Sequence, residues 1–122
     1  MTLAGRSSPH IVIYDPDAVV ELLAVKSKAE HRALLNAVLK LREVGERLGP
    51  PHMKPLKGDG GAALCELRPR QGRSDWRAIY RQAGALYVIL AIDRHKNFAR
   101  LIERARTRAR QYDRSLLKSD KS

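Results

Sequence analysis

Hydrophobic and polar positions along the chain fall into seven runs with two different periods. Residues 10–14 (HIVIY) are a short β-rich run, expected as one strand. Asp15-Pro16-Asp17 follows with the chemistry of a helix start, Asp15 as N-cap and Pro16 at the first helical position, where its missing N–H is no loss. Val19, Val20, Leu22 and Leu23 are the expected buried side of that short helix. A second helix is predicted from about Lys28 to Glu46, with Ser27 as cap and Glu30 at capping-box spacing. Leu34, Leu35, Val38, Leu41 and Leu48 recur at helical spacing and give it one apolar face, and Gly49-Pro50-Pro51 stops it. A helical hairpin after one edge strand is the plainest account of this half.

The second half alternates with period two. Residues 63–68 (ALCELR) read as a strand, residues 69–75 (PRQGRSD) as a polar loop, and residues 76–81 (WRAIYR) as a strand again. Gly84 turns the chain, and residues 85–92 (ALYVILAI) are nearly all apolar, as a central strand covered on both faces would be. A final helix rich in Arg is predicted over roughly 98–112. The order is β-α-α-β-β-β-α. Residues 1–9 are expected to be a loose leader and 114–122 a loose Lys/Ser tail.

Composition sharpens this picture in three ways. At 122 residues the chain suits one domain, 1–122, and with a single Phe and a single Trp its core must rest on Leu, Val, Ile and Ala. The net charge of +11 is unevenly placed: nine Lys/Arg against seven Asp/Glu in residues 1–60, fifteen against six in 61–122. Such one-signed charge draws in phosphate or acidic protein. Arg dominates the basic half, and its planar fork grips two phosphate oxygens at once. One cysteine, Cys65, permits no intrachain disulfide, and Cys65 is taken as core. Four scattered histidines and one cysteine offer no metal-ligand spacing, and no apolar run reaches membrane-spanning length, so a cytoplasmic location is expected.

The strand period assigns faces. Trp76, Ala78 and Tyr80 share one side with Cys65 and Leu67, expected under the helices. The other side gathers Glu66, Arg68, Arg77 and Arg81, with Asp93-Arg94-His95-Lys96 at its rim. Such a cluster suits RNA cleavage through the 2′-OH, which needs a base, a cation beside the crowded phosphate and an acid for the departing oxygen, without a metal. Arg77 and Lys96 are the cations and His95 the group ordinarily closest to neutrality in pKa. Glu66 reads first as a cross-strand ion-pair partner and second as a base. Arg68 and Arg77 are, alone, ordinary surface charges, and the arginines at 100, 104, 106, 108 and 110 an ordinary solvated face, of which Arg104 and Arg108 form a stripe able to follow phosphates.

Leu56-Lys57-Gly58, Cys65-Glu66-Leu67-Arg68, Asp75-Trp76-Arg77-Ala78-Ile79-Tyr80, the apolar strand ending in His95-Lys96, and Glu103-Arg104-Ala105 together resemble the RelE/HigB-like toxin superfamily, in particular its phage-derived Gp49-like subgroup. The resemblance spans roughly residues 54–106. It implies an α+β fold, a small twisted and mainly antiparallel sheet against a helical hairpin with a C-terminal helix, matching the element order above. It implies a toxin of a type II toxin–antitoxin system, an mRNA endonuclease acting at the ribosome and silenced by an acidic antitoxin with a DNA-binding part, the pair binding operator DNA as a complex. It carries the phosphate-stabilising arginine onto Arg77, a second basic position onto Lys96 with His95 beside it, and commonly basic positions onto Lys57 and Arg68. The candidate catalytic residues are then Arg77, His95, Lys96 and Arg68, and the candidate RNA contacts, read with the basic faces above, are Lys54, Lys57, Arg81, Arg94, Arg100 and Arg104. Leu64 and Glu66 stand where some relatives carry lysines, and Ile102 where they carry tyrosine. Those departures favour, as the alternative, a non-catalytic module binding RNA, the ribosome or an antitoxin. A DNA-reading regulator is the third class, disfavoured because the one helical hairpin lies in the nearly neutral half.

Overall fold

The computed structural model describes residues 10–57 and 63–121, with side chains through Tyr112. The leader 1–9 and Gly58 lie outside the described residues.

The first strand, β1 (Ile11–Tyr14), is followed by α1 (Pro16–Leu23) and α2 (Lys28–Val44). Both helix starts are the ones their caps dictate: Asp15 accepts from the N–H of Asp17 at 2.8 Å, and Ser27 from that of Glu30 at 3.2 Å. Gly45 ends α2 with φ +57°, and a Cβ there would run into the His10 ring, so glycine is required. The buried side of α1 differs from the expected one. Ala18 and Leu22 face the core, whereas Val20 and Leu23 are exposed at 64% and 70%. With only two turns, the helix buries one narrow i, i+4 stripe, and a run of apolar letters overstates it.

Four more strands follow: β2 (Met53–Pro55), β3 (Cys65–Leu67), β4 (Trp76–Ala83) and β5 (Leu86–Arg94), then α3 (Phe98–Lys121). They form one sheet in the order β1-β5-β4-β3-β2. Every pairing is antiparallel except β1 with β5, which is parallel. β2 is an addition to the expected order. Its three residues include Pro55, so it shows no alternation long enough to read, and it holds only by pairing with β3. β1 is the edge strand anticipated, and β5 lies inside the sheet with Tyr87 through Ile92 buried. The tail from residue 114, expected to be loose, continues α3 as helix to Lys121.

Each face of the sheet has its own core. On one, α1 and α2 cover Leu67, Ala78, Tyr80, Tyr87, Ile89 and Ile92, with Cys65 and Trp76 packed against them. The expected helix-covered face is therefore the observed one. Burial pushes the Cys65 thiol up, partly offset by its hydrogen bond with Tyr80, so it stays a protonated packing group. On the other face, α3 lays Leu101, Ala105 and Ala109 over Leu64, Ile79, Val88 and Leu90. Those alanines fall four residues apart and leave no bulk between helix and sheet, so α3 seats closely.

Candidate functional site

The face expected to be an open basic surface is covered. Arg77, on β4, is 5% exposed and Glu66, on β3, 4% exposed. Arg77 Nε donates to Glu66 Oε2 at 2.8 Å, the cross-strand ion pair that the sequence favoured over a base. The rest of the guanidinium is occupied by backbone. Nη1 donates to the carbonyls of Ser74 and Trp76 at 2.6 and 2.8 Å, and Nη2 to that of Gly72 at 3.2 Å. Arg77 thus ties the loop 69–75 to the sheet, with its donors spent inside the protein. Leu64 and Ile102, the positions where relatives carry lysine and tyrosine, belong to the core under α3.

The gathering of Glu66, Arg68, Arg77 and Arg81 is also only partial. Arg81 is half-buried on β4 opposite Val88, on the α3 side. Arg68 lies just past β3: its N–H still donates to the His52 carbonyl at 2.9 Å, but Pro69 takes the chain into a turn, and the Arg68 guanidinium packs against Gly72. Strand alternation stops with the strand, so it does not place Arg68 beside Glu66.

Two arginines of α3 face inward as well. Arg104 lies 3.2 Å from both Glu21 and Asp93 and donates to the Ile92 carbonyl, and Arg108 makes 2.8 Å contact with Glu21 and donates to the Leu90 carbonyl at 2.7 Å. Glu21 also accepts the Ile92 N–H at 2.9 Å, so one carboxylate joins α1, β5 and α3. The predicted phosphate-tracking stripe is in this way an internal clamp. Burial raises the Asp93 carboxyl, but hydrogen bonds from Asn97, the Arg94 N–H and Arg104 outweigh it and hold Asp93 below its ordinary value.

Other predicted residues are exposed. Arg94 sits over the Trp76 ring at 5.4 Å, a cation–π contact. His95 and Lys96 form the exposed turn between β5 and α3, with the His95 N–H donating to the Asp75 carbonyl and its ring 5.5 Å from that of Phe98. This joins the 95–97 turn to the loop that Arg77 organises. Arg100 is exposed and reaches Asn97 at 3.0 Å. Lys54, across from Glu66 in the register, and Lys57 point to solvent near the β2 edge.

Sequence reasoning missed a groove of about 480 Å³ between α2 and the β3–β4 loop. Lys28, Arg32 and Lys40 line it from α2, and Arg68, Arg70 and Arg73 from the opposite side. No Asp or Glu lines it, and none of the six cations has a carboxylate partner among the described residues. Its base is apolar, with Ala29, Ala33, Ala37, Leu48 and Leu67. A signal was present: positions 28, 32, 36 and 40 recur at one helical face. Counting charge by halves hid it, because the acids of the first half lie elsewhere.

The fold is that of RelE-like toxins. The chain is similar to the toxin–antitoxin complex RelBE2 of Mycobacterium tuberculosis (21% identity, TM-score 0.55, covering 74% of this chain and 95% of that one). It is also similar to an arginine-to-alanine mutant of the E. coli toxin RelE in the free state (12% identity, TM-score 0.56, covering 79% and 97%). Residues 21–112 match the family described as phage-derived protein Gp49-like, and the chain belongs to that family. No curated protein sequence matches it.

Proposed function

We propose that the chain is the toxin of a type II toxin–antitoxin pair and acts on mRNA, cutting it by metal-independent phosphodiester cleavage at the ribosome in the cytoplasm. An acidic antitoxin with a DNA-binding part would hold it silent, the two binding operator DNA together. The observation that carries this reading is the density of uncompensated cations on a RelE-like fold, in the groove and on the 94–96 rim. In this reading the exposed His95 transfers protons, Lys96 and Arg68 stabilise phosphate charge, and Arg77 acts indirectly by fixing the loop that meets the 95–97 turn.

Binding without cutting is the second reading, and the buried Glu66–Arg77 pair favours it. A guanidinium held by one carboxylate and three carbonyls is not presented to a phosphate. Induction in a bacterial host separates the two. The nuclease reading expects translation to stop and mRNA to acquire new 5′ ends, and His95→Ala/Lys96→Ala to remove those ends. Arrest without new ends would establish binding alone, and normal growth with soluble wild-type chain would overturn the toxin reading.

A further inference from the structure

We propose that the groove between α2 and the loop 69–75 is a binding site for the phosphodiester backbone of single-stranded RNA. The proposal rests on the RNA-directed reading above and gives that RNA a further track along α2, on the other face of the sheet from α3.

The first support is charge without compensation. Paired arginines such as Arg104 and Arg108 show how this protein neutralises a cation it needs for folding, with Glu21 and Asp93 brought to them. The groove has six cations and no such acid, although Glu30 stands on the same helix. That carboxylate is turned to the buried Ser74 hydroxyl at 2.8 Å and does not line the groove. Concentrating like charge is unfavourable in the free protein and becomes favourable when an anion enters.

Spacing gives the second support. Lys28 and Arg32 stand one helical step of four residues apart, about 6 Å along the axis, and Asn36 and Lys40 continue the row. A row of this pitch meets successive phosphates of an extended strand. Four of the cations on and facing that row are Arg32, Arg68, Arg70 and Arg73, whose forks suit phosphate oxygens. The Arg68 guanidinium lies against Gly72 on the groove wall, with no hydrogen-bond partner for its Nε among the described residues.

Third, the wall opposite α2 is built at a cost. Arg70 and Gln71 both adopt left-handed backbone conformations, with φ +55° and +59°, and Gly72 follows at +93°. Non-glycine residues are unfavourable there and persist only where the surroundings hold them. Arg77 does so by gripping the Gly72, Ser74 and Trp76 carbonyls, while Arg70 reaches the Ala29 carbonyl of α2. Four arginines among the six cations, with forks that match phosphate oxygens two at a time, favour a nucleic-acid backbone over an acidic peptide.

The test uses the full chain and a 2′-O-methylated RNA of about twelve nucleotides, which cannot be cut through its 2′ position. Affinity is measured by fluorescence anisotropy from low to high salt. Wild type should bind with a steep salt dependence. Arg32→Ala/Arg73→Ala should bind at least tenfold more weakly, its salt slope smaller by about 1.4, at about 0.7 per lost phosphate contact. Arg42→Ala/Arg47→Ala, with equal charge loss on exposed residues outside the groove, should bind as wild type does. Equal loss in both variants would mean general charge attraction and overturn the site. An acidic peptide displacing RNA with the higher affinity would overturn the choice of partner. Wild type that arrests growth yet fails to bind the probe would overturn the groove and leave the toxin reading standing.

Discussion

Arg77 and Arg73 lie four residues apart and have opposite surroundings. Arg77 is buried, its charge met by Glu66 and its remaining donors by three carbonyls. Arg73 is exposed, its side chain bonds among the described residues only to the Arg70 carbonyl at 3.3 Å, and it faces a groove without acids. The same contrast runs through the molecule. On the α3 face Arg77, Arg104 and Arg108 each hold two or more elements together through acids, whereas on the α2 face Arg32, Arg68 and Arg73 border a groove without acids and Arg70 reaches the Ala29 carbonyl at 3.5 Å. High positive charge is thus two populations, one consumed by folding and one left for a partner. Which population an arginine joins depends on the acids that the topology brings to it, not on how basic its neighbourhood is in sequence.

Removing one partner from a buried ion pair is the harshest way to probe this contrast. Arg77→Ala strands the Glu66 carboxylate and frees the Gly72, Ser74 and Trp76 carbonyls, and should cost about 3–5 kcal/mol in denaturant unfolding. Arg77→Met with Glu66→Leu, which removes both charges, should recover much of that loss. A loss below 1 kcal/mol for the single change would place Arg77 among the free cations. Next in size is the α1–β5–α3 clamp. Glu21→Ala removes the acceptor of Arg104, Arg108 and the Ile92 N–H, and should lower stability by about 2 kcal/mol, read from the urea midpoint at unchanged slope. If the midpoint does not move, the α3 arginines are not structural.

Asp93 gives the smallest effect and a distinctive pH signature. Its folded pKa lies below the ordinary value, so its ionised form stabilises the fold. That contribution is complete above the unfolded pKa of about 3.9 and is lost as pH falls through the lower folded value. The melting temperatures of wild type and Asp93→Asn should therefore differ near pH 6, and the difference should shrink only once pH falls below the ordinary carboxylate value and through the lower folded one. A difference that persists unchanged into acid would remove Asp93 from the clamp.

Much of the fold was legible because it rests on local signals. Asp15-Pro16 and Ser27 through Glu30 set both helix starts, and the alternation of residues 63–68 and 76–81 assigned Cys65, Leu67, Trp76 and Tyr80 to the correct face. β2 was not legible, since three residues with a proline carry no period and depend on β3 for their structure. The site was less legible than the fold. The Glu66–Arg77 pair could be foreseen as two opposite charges on neighbouring strands, yet nothing local reveals that α3 returns to pack Leu101 and Ala105 against Leu64 and Ile79 on that face of the sheet. Arg104 and Arg108 looked like a solvated stripe because their partner, Glu21, lies more than eighty residues earlier. The groove went unread for the same reason: it joins Arg32 to Arg73 across the sheet edge, a contact that only tertiary structure makes.

The division of arginines into structural and binding sets can be seen directly by following the Nε–H resonances of uniformly labelled protein as 2′-O-methylated RNA is added. The Arg77 Nε–H, buried on Glu66, should be visible, slow to exchange with water and unmoved by RNA, while those of Arg32, Arg70 and Arg73 should shift together in a saturable manner. An Arg77 resonance that exchanges fast and shifts with RNA, beside unmoved groove arginines, would contradict the account and return the binding site to the face beneath α3.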